Sequence, residues 1–119
     1  METMRSFLVL FYILDQAYDQ CEEDDLGGLL GAMSPELWGD GQPTDKAIFN
    51  NWKKISNPEL LNEDNIIKAV CDFLDYYEKK FGFYLYKTKQ WITTMSDKRI
   101  IKRALDKSEE MYQRFNYDN

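Results

Sequence analysis

The sequence of 119 residues contains no histidine and has only two cysteines and three prolines. Without histidine, the chain lacks the commonest general base and the commonest metal ligand, and it cannot form a Ser-His or Cys-His nucleophilic pair. The two cysteines, Cys21 and Cys71, are too few for a disulfide framework and have no metal-binding spacing, so we predict that both are reduced and buried. These absences argue against most classes of enzyme, and we expect no catalytic residue, no metal and no cofactor.

The chain also lacks a long hydrophobic run. Its longest apolar and aromatic stretch is the eight residues from Phe7 to Leu14, which Asp15 ends, whereas a membrane-spanning helix needs about 20 apolar residues. The flanking Arg5 is offset by Glu2, and no small-residue cleavage site of the kind found in signal peptides follows the stretch. We therefore predict a buried helix in a cytoplasmic protein that has no membrane partner.

Positive charge is scarce in the first 45 residues, where Arg5 is the single cation and ten acidic residues give a net charge of −9. Residues 46–119 contain 14 cations and 11 acids, a net charge of +3, so the whole chain carries −6. An acidic protein of this kind is soluble and is a poor ligand for nucleic acid. We therefore expect a basic protein as partner and no nucleic acid.

Helical periodicity extends along most of the chain. Near the N-terminus, apolar residues recur every three or four positions and predict a central helix that neighbours cover on more than one side. This seam consists of Met4, Phe7, Phe11, Leu14, Tyr18 and Cys21. Similar spacing recurs in later segments, and a connection rich in Gly and Pro lies between Asp24 and Trp52. We predict a single domain over residues 1–119 with an all-α fold, an irregular bundle of five to six helices.

Capping residues predict where several helices begin. Asp24 or Asp25 can cap a short second helix, because carboxylates accept hydrogen bonds from the first free N–H groups. Thr44 can cap the next long helix in the same way, and Ser96 can cap the last one. These positions divide the chain into helical segments that are joined by short turns.

Two segments have less regular patterns. Residues 83–95 are predicted to form a helix, most securely from Lys87, although the first four, Phe-Tyr-Leu-Tyr, have the composition of a strand. Gly27, Gly28 and Gly31 leave one side of the short second helix without side chains, so another backbone can approach it closely.

The candidate binding site is a set of acidic residues around the predicted end of the first helix. Like charges at these spacings repel one another, and acids at a helix C-terminus oppose the macrodipole; such unfavourable choices are more common on functional surfaces. We name this set the acidic ridge, and it consists of Asp15, Asp19, Glu22, Glu23, Asp24 and Asp25. It is extended by Glu36, Asp40 and Asp45. A docking surface for a basic protein is one interpretation, and a solvated face is the other.

Trp38 lies in the loop beside the acidic ridge. It is predicted to be either an anchor for a partner, because tryptophan is favoured at binding hot spots, or a core residue beneath the loop. Trp52 and Trp91 fall on helix faces that are predicted to be part of the core.

The stretches DLGGLLGAM and LWGDGQPTD, which lie between Asp24 and Trp52, resemble a segment of small helical bacterial proteins of the toxin-immunity type. Such proteins are encoded beside contact-dependent growth-inhibition or polymorphic toxins. The resemblance implies a cytoplasmic protein that binds one cognate toxin and blocks its active site. An acidic surface would suit a basic toxin such as a nuclease.

The sequence therefore favours a non-enzymatic immunity protein that neutralises its toxin through the acidic ridge, Trp38 and Asp40. The alternative is a structural or regulatory interaction module, self-associating or phage-derived, that binds through apolar surface. Salt should weaken the first kind of binding and not the second. Replacing Asp19 and Glu23 by lysine is expected to weaken partner binding by about tenfold or more while leaving the fold intact.

Overall fold

The computed structural model describes residues 1–95 and 97–115. These residues form six α-helices and contain no strand. The helices are α1 (Thr3–Cys21), α2 (Asp24–Met33), α3 (Lys46–Ser56), α4 (Ile66–Phe81), α5 (Tyr86–Met95) and α6 (Lys98–Arg114). Two short 3₁₀ turns, Pro35–Leu37 and Pro58–Leu60, follow α2 and α3. The predicted all-α fold with five to six helices is confirmed.

Helix α1 is the centre of the bundle, as its wide apolar surface predicts. It packs against α2, α3, α5 and α6, and every side chain from Ser6 to Leu14 is buried. The Glu2 carboxylate accepts hydrogen bonds from the backbone N–H groups of Met4 at 3.1 Å and Arg5 at 3.0 Å. These bonds satisfy donors of the first turn and define the start of the helix.

Trp52 connects α3 to the centre of the core. Its side chain is fully buried, and its Nε1 donates a hydrogen bond to Ser6 Oγ at 3.0 Å. Its ring meets the ring of Phe73 on α4 edge-on, with centroids 5.8 Å apart. A buried indole N–H needs an acceptor, which explains a serine in the otherwise apolar part of α1. The prediction that Trp52 belongs to the core is confirmed.

The N-terminus of α2 lies one residue earlier than its predicted caps. Glu23 is the N-cap, and Asp24 and Asp25 occupy the first helical turn. The predicted cap of the last helix, Ser96, lies outside the described residues; Asp97 is the N-cap of α6, and its carboxylate accepts two backbone hydrogen bonds. An acidic residue is thus the N-cap of both α2 and α6.

The cap of α3 is also shifted by one residue. Asp45, not Thr44, is the N-cap, and its Oδ1 accepts a hydrogen bond from Ile48 N at 3.1 Å. The Thr44 hydroxyl instead donates to the carbonyl oxygen of Leu37 at 3.0 Å, so it stabilises the preceding loop. The prediction for Thr44 is wrong because a competing backbone acceptor lies within reach.

The predicted helix over residues 83–95 begins three residues late. Phe83, Tyr84 and Leu85 form neither helix nor strand, and α5 starts at Tyr86. Gly82 ends α4 in the left-handed conformation, with φ of 70°, which glycine adopts at little cost. The backbone N–H groups of Tyr84 and Leu85 bind carboxylates from other parts of the chain, as described below, so these residues do not join the helix.

No other backbone of the described residues uses the space that the glycines of α2 leave open. A Cβ added at Gly27 would lie 3.2 Å from the hydroxyl of Tyr18, so a side chain of α1 fills that space. At Gly28 and Gly31 no described atom lies within 4 Å of an added Cβ, and both glycines are exposed. The result is a strip of bare backbone on the outer side of α2.

Replacing Glu22 by glycine is expected to raise the free energy of unfolding by roughly 0.5–1 kcal/mol. Glu22 is the C-cap of α1 and has a left-handed backbone, with φ of 51° and ψ of 34°, a conformation that favours glycine. Its negative charge also opposes the helix macrodipole. Urea denaturation measures the change. Asp24→Gly, in the first turn of α2, is the control and should lower stability; a loss of stability in both variants would contradict the prediction.

Candidate protein-docking surface

The corner between α1 and α2 brings four acids of the ridge to one cavity. Glu22 and Glu23 separate the two helices, and Asp24 and Asp25 form the first turn of α2. The left-handed backbone at Glu22 turns the chain, so these residues surround a cavity of about 390 Å³. We name it the acidic cavity, and it is lined by Cys21, Glu22, Glu23, Asp24, Asp25, Tyr84 and Lys87.

The structure places Asp15 and Asp19 in a different cleft, of about 240 Å³, between α1, α5 and α6. Arg103 and Lys107 of α6 line the same cleft. Burial, and then the charge of Asp19, raises the pKa of Asp15, while Lys107 acts in the opposite direction. Because cations of α6 offset these two acids, this end of the acidic ridge has mixed charge and is separate from the acidic cavity.

Glu23 is a buried residue of the ridge, with 7% of its surface exposed. Its Oε1 accepts hydrogen bonds from Thr88 N at 2.6 Å and Thr88 Oγ1 at 2.7 Å, and its Oε2 accepts one from Lys87 N at 3.2 Å. Glu23 therefore caps the N-terminus of α5 from a distant part of the chain. Lysine at this position would disturb the fold, which corrects the expectation that the Asp19 and Glu23 pair could be reversed in charge without structural effect.

Two more carboxylates hold the segment that precedes α5. Asp25 Oδ2 accepts a hydrogen bond from Tyr84 N at 2.7 Å, and Glu78 Oε2 accepts one from Leu85 N at 3.1 Å. Together with Glu23 they bind four backbone donors between Tyr84 and Thr88, which fixes the path of the chain into α5. The Tyr84 side chain, 60% exposed, is thereby positioned at the edge of the acidic cavity.

Cys21 lies in the wall of the acidic cavity, and its thiol contacts the carbonyl oxygen of Lys87 at 3.4 Å. Burial, and then the charge of Glu23, raises the pKa of this thiol, while Lys87 acts in the opposite direction. A raised pKa keeps the group as a thiol at neutral pH, a poor nucleophile. Cys21 and Cys71 are free, as predicted, but both are half-buried rather than buried.

Trp38 is part of the core, with 4% of its surface exposed. Its ring stacks between Phe7, at a centroid distance of 6.0 Å, and Phe115, at 5.4 Å. Its Nε1 has no hydrogen-bond partner among the described residues. The structure therefore matches the interpretation of Trp38 as a core residue beneath the loop and removes it from the exposed surface.

The remaining acids that were added to the ridge have local roles and do not line the acidic cavity. The exposed Asp40 accepts a hydrogen bond from Gln42 N at 3.0 Å within its loop. Glu36 forms an ion pair with Arg114 of α6 at 3.4 Å. Asp45 caps α3. The acidic surface that the structure assembles is thus smaller than the acidic part of the sequence.

Sequence reasoning missed Tyr84 and Lys87 as residues of this surface. Tyr84 is 59 positions away from Asp25, to which its backbone is bonded, and no local pattern pairs the two segments. The sequence places Tyr84 and Lys87 in the separate predicted helix over residues 83–95. An unusual density of acids around residue 23 was the available signal, and it indicates the place without indicating what the acids bind.

Two general features bear on the chemistry of the described residues. No group of three or more cysteine, aspartate or glutamate side chains has an arrangement that could hold a metal ion. None of the described helices combines the length and apolar character that crossing a membrane requires.

No protein-family model matches the chain, and comparisons with curated proteins and with solved structures give no match.

Proposed function

We propose that the protein is a non-enzymatic binding protein that docks a basic protein at the acidic cavity, and that this partner is a cognate toxin, which it neutralises. The observation that supports this best is the convergence of Glu22, Glu23, Asp24 and Asp25 on one cavity of about 390 Å³. The four carboxylates outnumber Lys87, the one cation among the described residues of the lining. A concave surface with such an excess of negative charge attracts cations and speeds association.

The acids of the cavity divide into two roles. Glu22 and Asp24 are exposed, so they can pair with lysine or arginine side chains of the partner. Glu23 binds backbone N–H groups in the first turn of α5, Asp25 binds one in the segment before α5, and both maintain the shape of the surface. The exposed ring of Tyr84 provides a face on which a cationic side chain can stack.

Reversing the charge of Glu22 and Asp24 together is expected to weaken binding of the partner by about tenfold or more, mainly through slower association. The partner is first identified by purifying the protein with the products of neighbouring genes. The affinity of the purified complex is then measured by surface plasmon resonance at about 0.01 and 0.15 M salt, since screening lengths fall from about 30 to 8 Å over this range. Urea denaturation checks that the variant Glu22→Lys/Asp24→Lys is folded.

The matched control is Glu59→Lys with Glu63→Lys, which changes the net charge by the same amount. Both residues are exposed, and neither lines the acidic cavity. Glu59 follows Pro58, whose carbonyl accepts a hydrogen bond from the Met1 amino group at 3.0 Å, and Glu63 lines a separate cleft with Lys98 and Lys102 of α6. An equal loss of affinity in the control would indicate a general charge effect, and unchanged affinity in the first variant would dismiss the cavity as the interface.

A structural or regulatory module that self-associates is the second candidate. It is favoured by three large apolar side chains that are at least half exposed, Leu37 at 60%, Leu60 at 67% and Phe81 at 50%. Association through such surface would persist or strengthen in high salt, because screening weakens charge–charge attraction alone. Analytical ultracentrifugation at both salt concentrations separates the two candidates.

A further inference from the structure

An apolar groove of about 270 Å³ lies between α2, α3 and the end of α4. Its walls include Ala32 from α2, Ala47 and Ile48 from α3, and Tyr77 and Phe81 from α4. Small residues on two walls and aromatic rings on the third give a shape that can hold a bulky apolar side chain. No local sequence pattern indicates this groove, because its walls come from separate helices.

The groove is open to solvent, and Asp45 is the one charged residue in the described part of its lining. Phe81 is 50% exposed, and no described atom lies within 4 Å of a Cβ added at Gly28, which also lines the groove. Two of its polar lining residues bond to each other: Asn51 Nδ2 donates to the Tyr77 hydroxyl at 3.0 Å. Burial raises the pKa of Tyr77, so its hydroxyl is neutral at physiological pH and presents no charge to an incoming group.

The groove lies next to the acidic cavity along α2. Asp25, Gly28 and Ala32 are three and then four positions apart, so they share one face of the helix and span about 11 Å. Tyr84 lines the cavity and its neighbour Phe83 lines the groove. The hydrogen bond from Tyr84 N to Asp25 at 2.7 Å ties this segment to the first turn of α2. One surface therefore has carboxylates at one end and an apolar depression next to them.

We propose that the groove binds an apolar side chain from a helical segment of the basic partner, while a lysine or arginine of the same segment enters the acidic cavity. This inference rests on the proposed function. On a helix, side chains separated by about 5 to 11 Å are three to seven positions apart, which matches the distances of Gly28 and Ala32 from Asp25. Asp45, which lines the groove itself, adds negative charge beside the apolar walls.

Charge selects this occupant over a second copy of the chain. A two-fold dimer that used the groove would bring the same surface of both copies together, including the acids of both α2 first turns. Like charges brought together in this way disfavour the contact. An apolar segment that carries cations gains from the same carboxylates, so the groove and the cavity favour one ligand.

Gly28→Leu and Gly31→Leu form a matched pair for the test. Both glycines are exposed positions within α2 with no described atom within 4 Å of an added Cβ, so each variant should fold. Leucine at position 28 would fill the groove, whereas Gly31 is not among the residues that line it. The probe is a synthetic peptide of about 15 residues, a length at which an isolated helix can form. It carries one leucine that lies one helical turn from each of two lysines. In a second, otherwise identical peptide, serine replaces this leucine.

We expect the native protein to bind the lysine–leucine peptide about tenfold more tightly than the lysine–serine peptide in fluorescence anisotropy. Gly28→Leu should reduce that ratio to about twofold or less, and Gly31→Leu should keep it. Ultracentrifugation of the three proteins without peptide should show monomers. This pattern would place the apolar side chain in the groove.

Other results would overturn the inference in distinguishable ways. Equal binding of the two peptides with a steep salt dependence would leave the acidic cavity as an interface and dismiss the groove. Preference for leucine without salt dependence would retain the groove as an apolar site and dismiss the acidic cavity, and with it the two-part recognition. Binding of neither peptide would contradict both proposals. Dimers that Gly28→Leu disrupts and Gly31→Leu does not would show that a second copy occupies the groove.

Discussion

Replacing Glu23 by alanine is expected to lower the free energy of unfolding by about 2–4 kcal/mol. The substitution removes the acceptor of three hydrogen bonds, from Lys87 N, Thr88 N and Thr88 Oγ1. A buried donor that loses its partner costs about 1–3 kcal/mol, and bonds to a charged acceptor are among the stronger ones. Thr88 is fully buried, so both of its donors depend on this carboxylate. Urea denaturation gives the magnitude.

The matched control for this prediction is Asp24→Ala, which removes the exposed neighbouring acid. It should cost a few tenths of a kcal/mol, the size expected for an acid in the first turn of a helix. Hydrogen exchange adds a local measurement: the amides of Lys87 and Thr88 should lose protection in the Glu23→Ala variant and keep it in the control. Equal stability of the two variants would show that Glu23 is only another surface acid.

The Glu23 result also bears on the proposed function. Because Glu23 positions the segment that carries Tyr84, its removal should weaken partner binding even though its carboxylate is buried. Glu22 and Asp24, by contrast, are expected to affect binding without a comparable loss of stability. A variant at Glu23 therefore does not test the role of surface charge in binding, whereas variants at Glu22 and Asp24 do.

Replacing Trp52 by alanine is expected to lower the free energy of unfolding by about 3–5 kcal/mol. Trp52 is fully buried between α1 and α4, and alanine would leave a cavity that rigid helices cannot fill. Since a domain of this size has roughly 5–15 kcal/mol of stability, the variant should be close to unfolding at room temperature. Thermal denaturation followed by circular dichroism measures the loss.

The pair Trp52→Phe and Trp38→Phe separates packing from hydrogen bonding. Trp52 donates to Ser6 Oγ at 3.0 Å, whereas Trp38 Nε1 has no partner among the described residues. Both rings are buried, so phenylalanine removes similar volume at each site. We expect Trp52→Phe to cost about 1 kcal/mol more, the usual net value of one hydrogen bond. Equal losses would indicate that Trp38 Nε1 is as well satisfied as Trp52 Nε1.

Much of the fold was predictable because its causes are local. The apolar seam of α1, the break at Asn57 and Pro58, and Gly82 at the end of α4 each depend on a few neighbouring residues. Helix starts were misplaced by one residue where two polar side chains compete for the same backbone donors, as at Thr44 and Asp45. Such competition is decided by which acceptors the rest of the chain brings near.

The sequence predicts where along the chain the candidate site lies, but not which residues form it. Ten acids in the first 45 residues indicate an acidic surface, because net charge follows from the sequence alone. Which of those acids is exposed depends on contacts between distant segments: Glu23 and Thr88 are 65 positions apart, and Asp19 faces the cations of α6. The apolar groove arises in the same way, from walls on α2, α3 and α4.

The sequence by itself determined the helical class of the fold, the central position of α1, the acidic N-terminal half and the lack of histidine chemistry. Periodicity, composition and charge are properties of short segments or of simple counts, so they need no knowledge of neighbours. Only the tertiary structure decided that Trp38 lies in the core, that Glu23 caps α5, and that Glu22 and Asp24 are exposed beside Tyr84. The physical reason is that burial and hydrogen-bond partners depend on which helices pack together, and α5 reaches the α1–α2 corner from the other end of the chain.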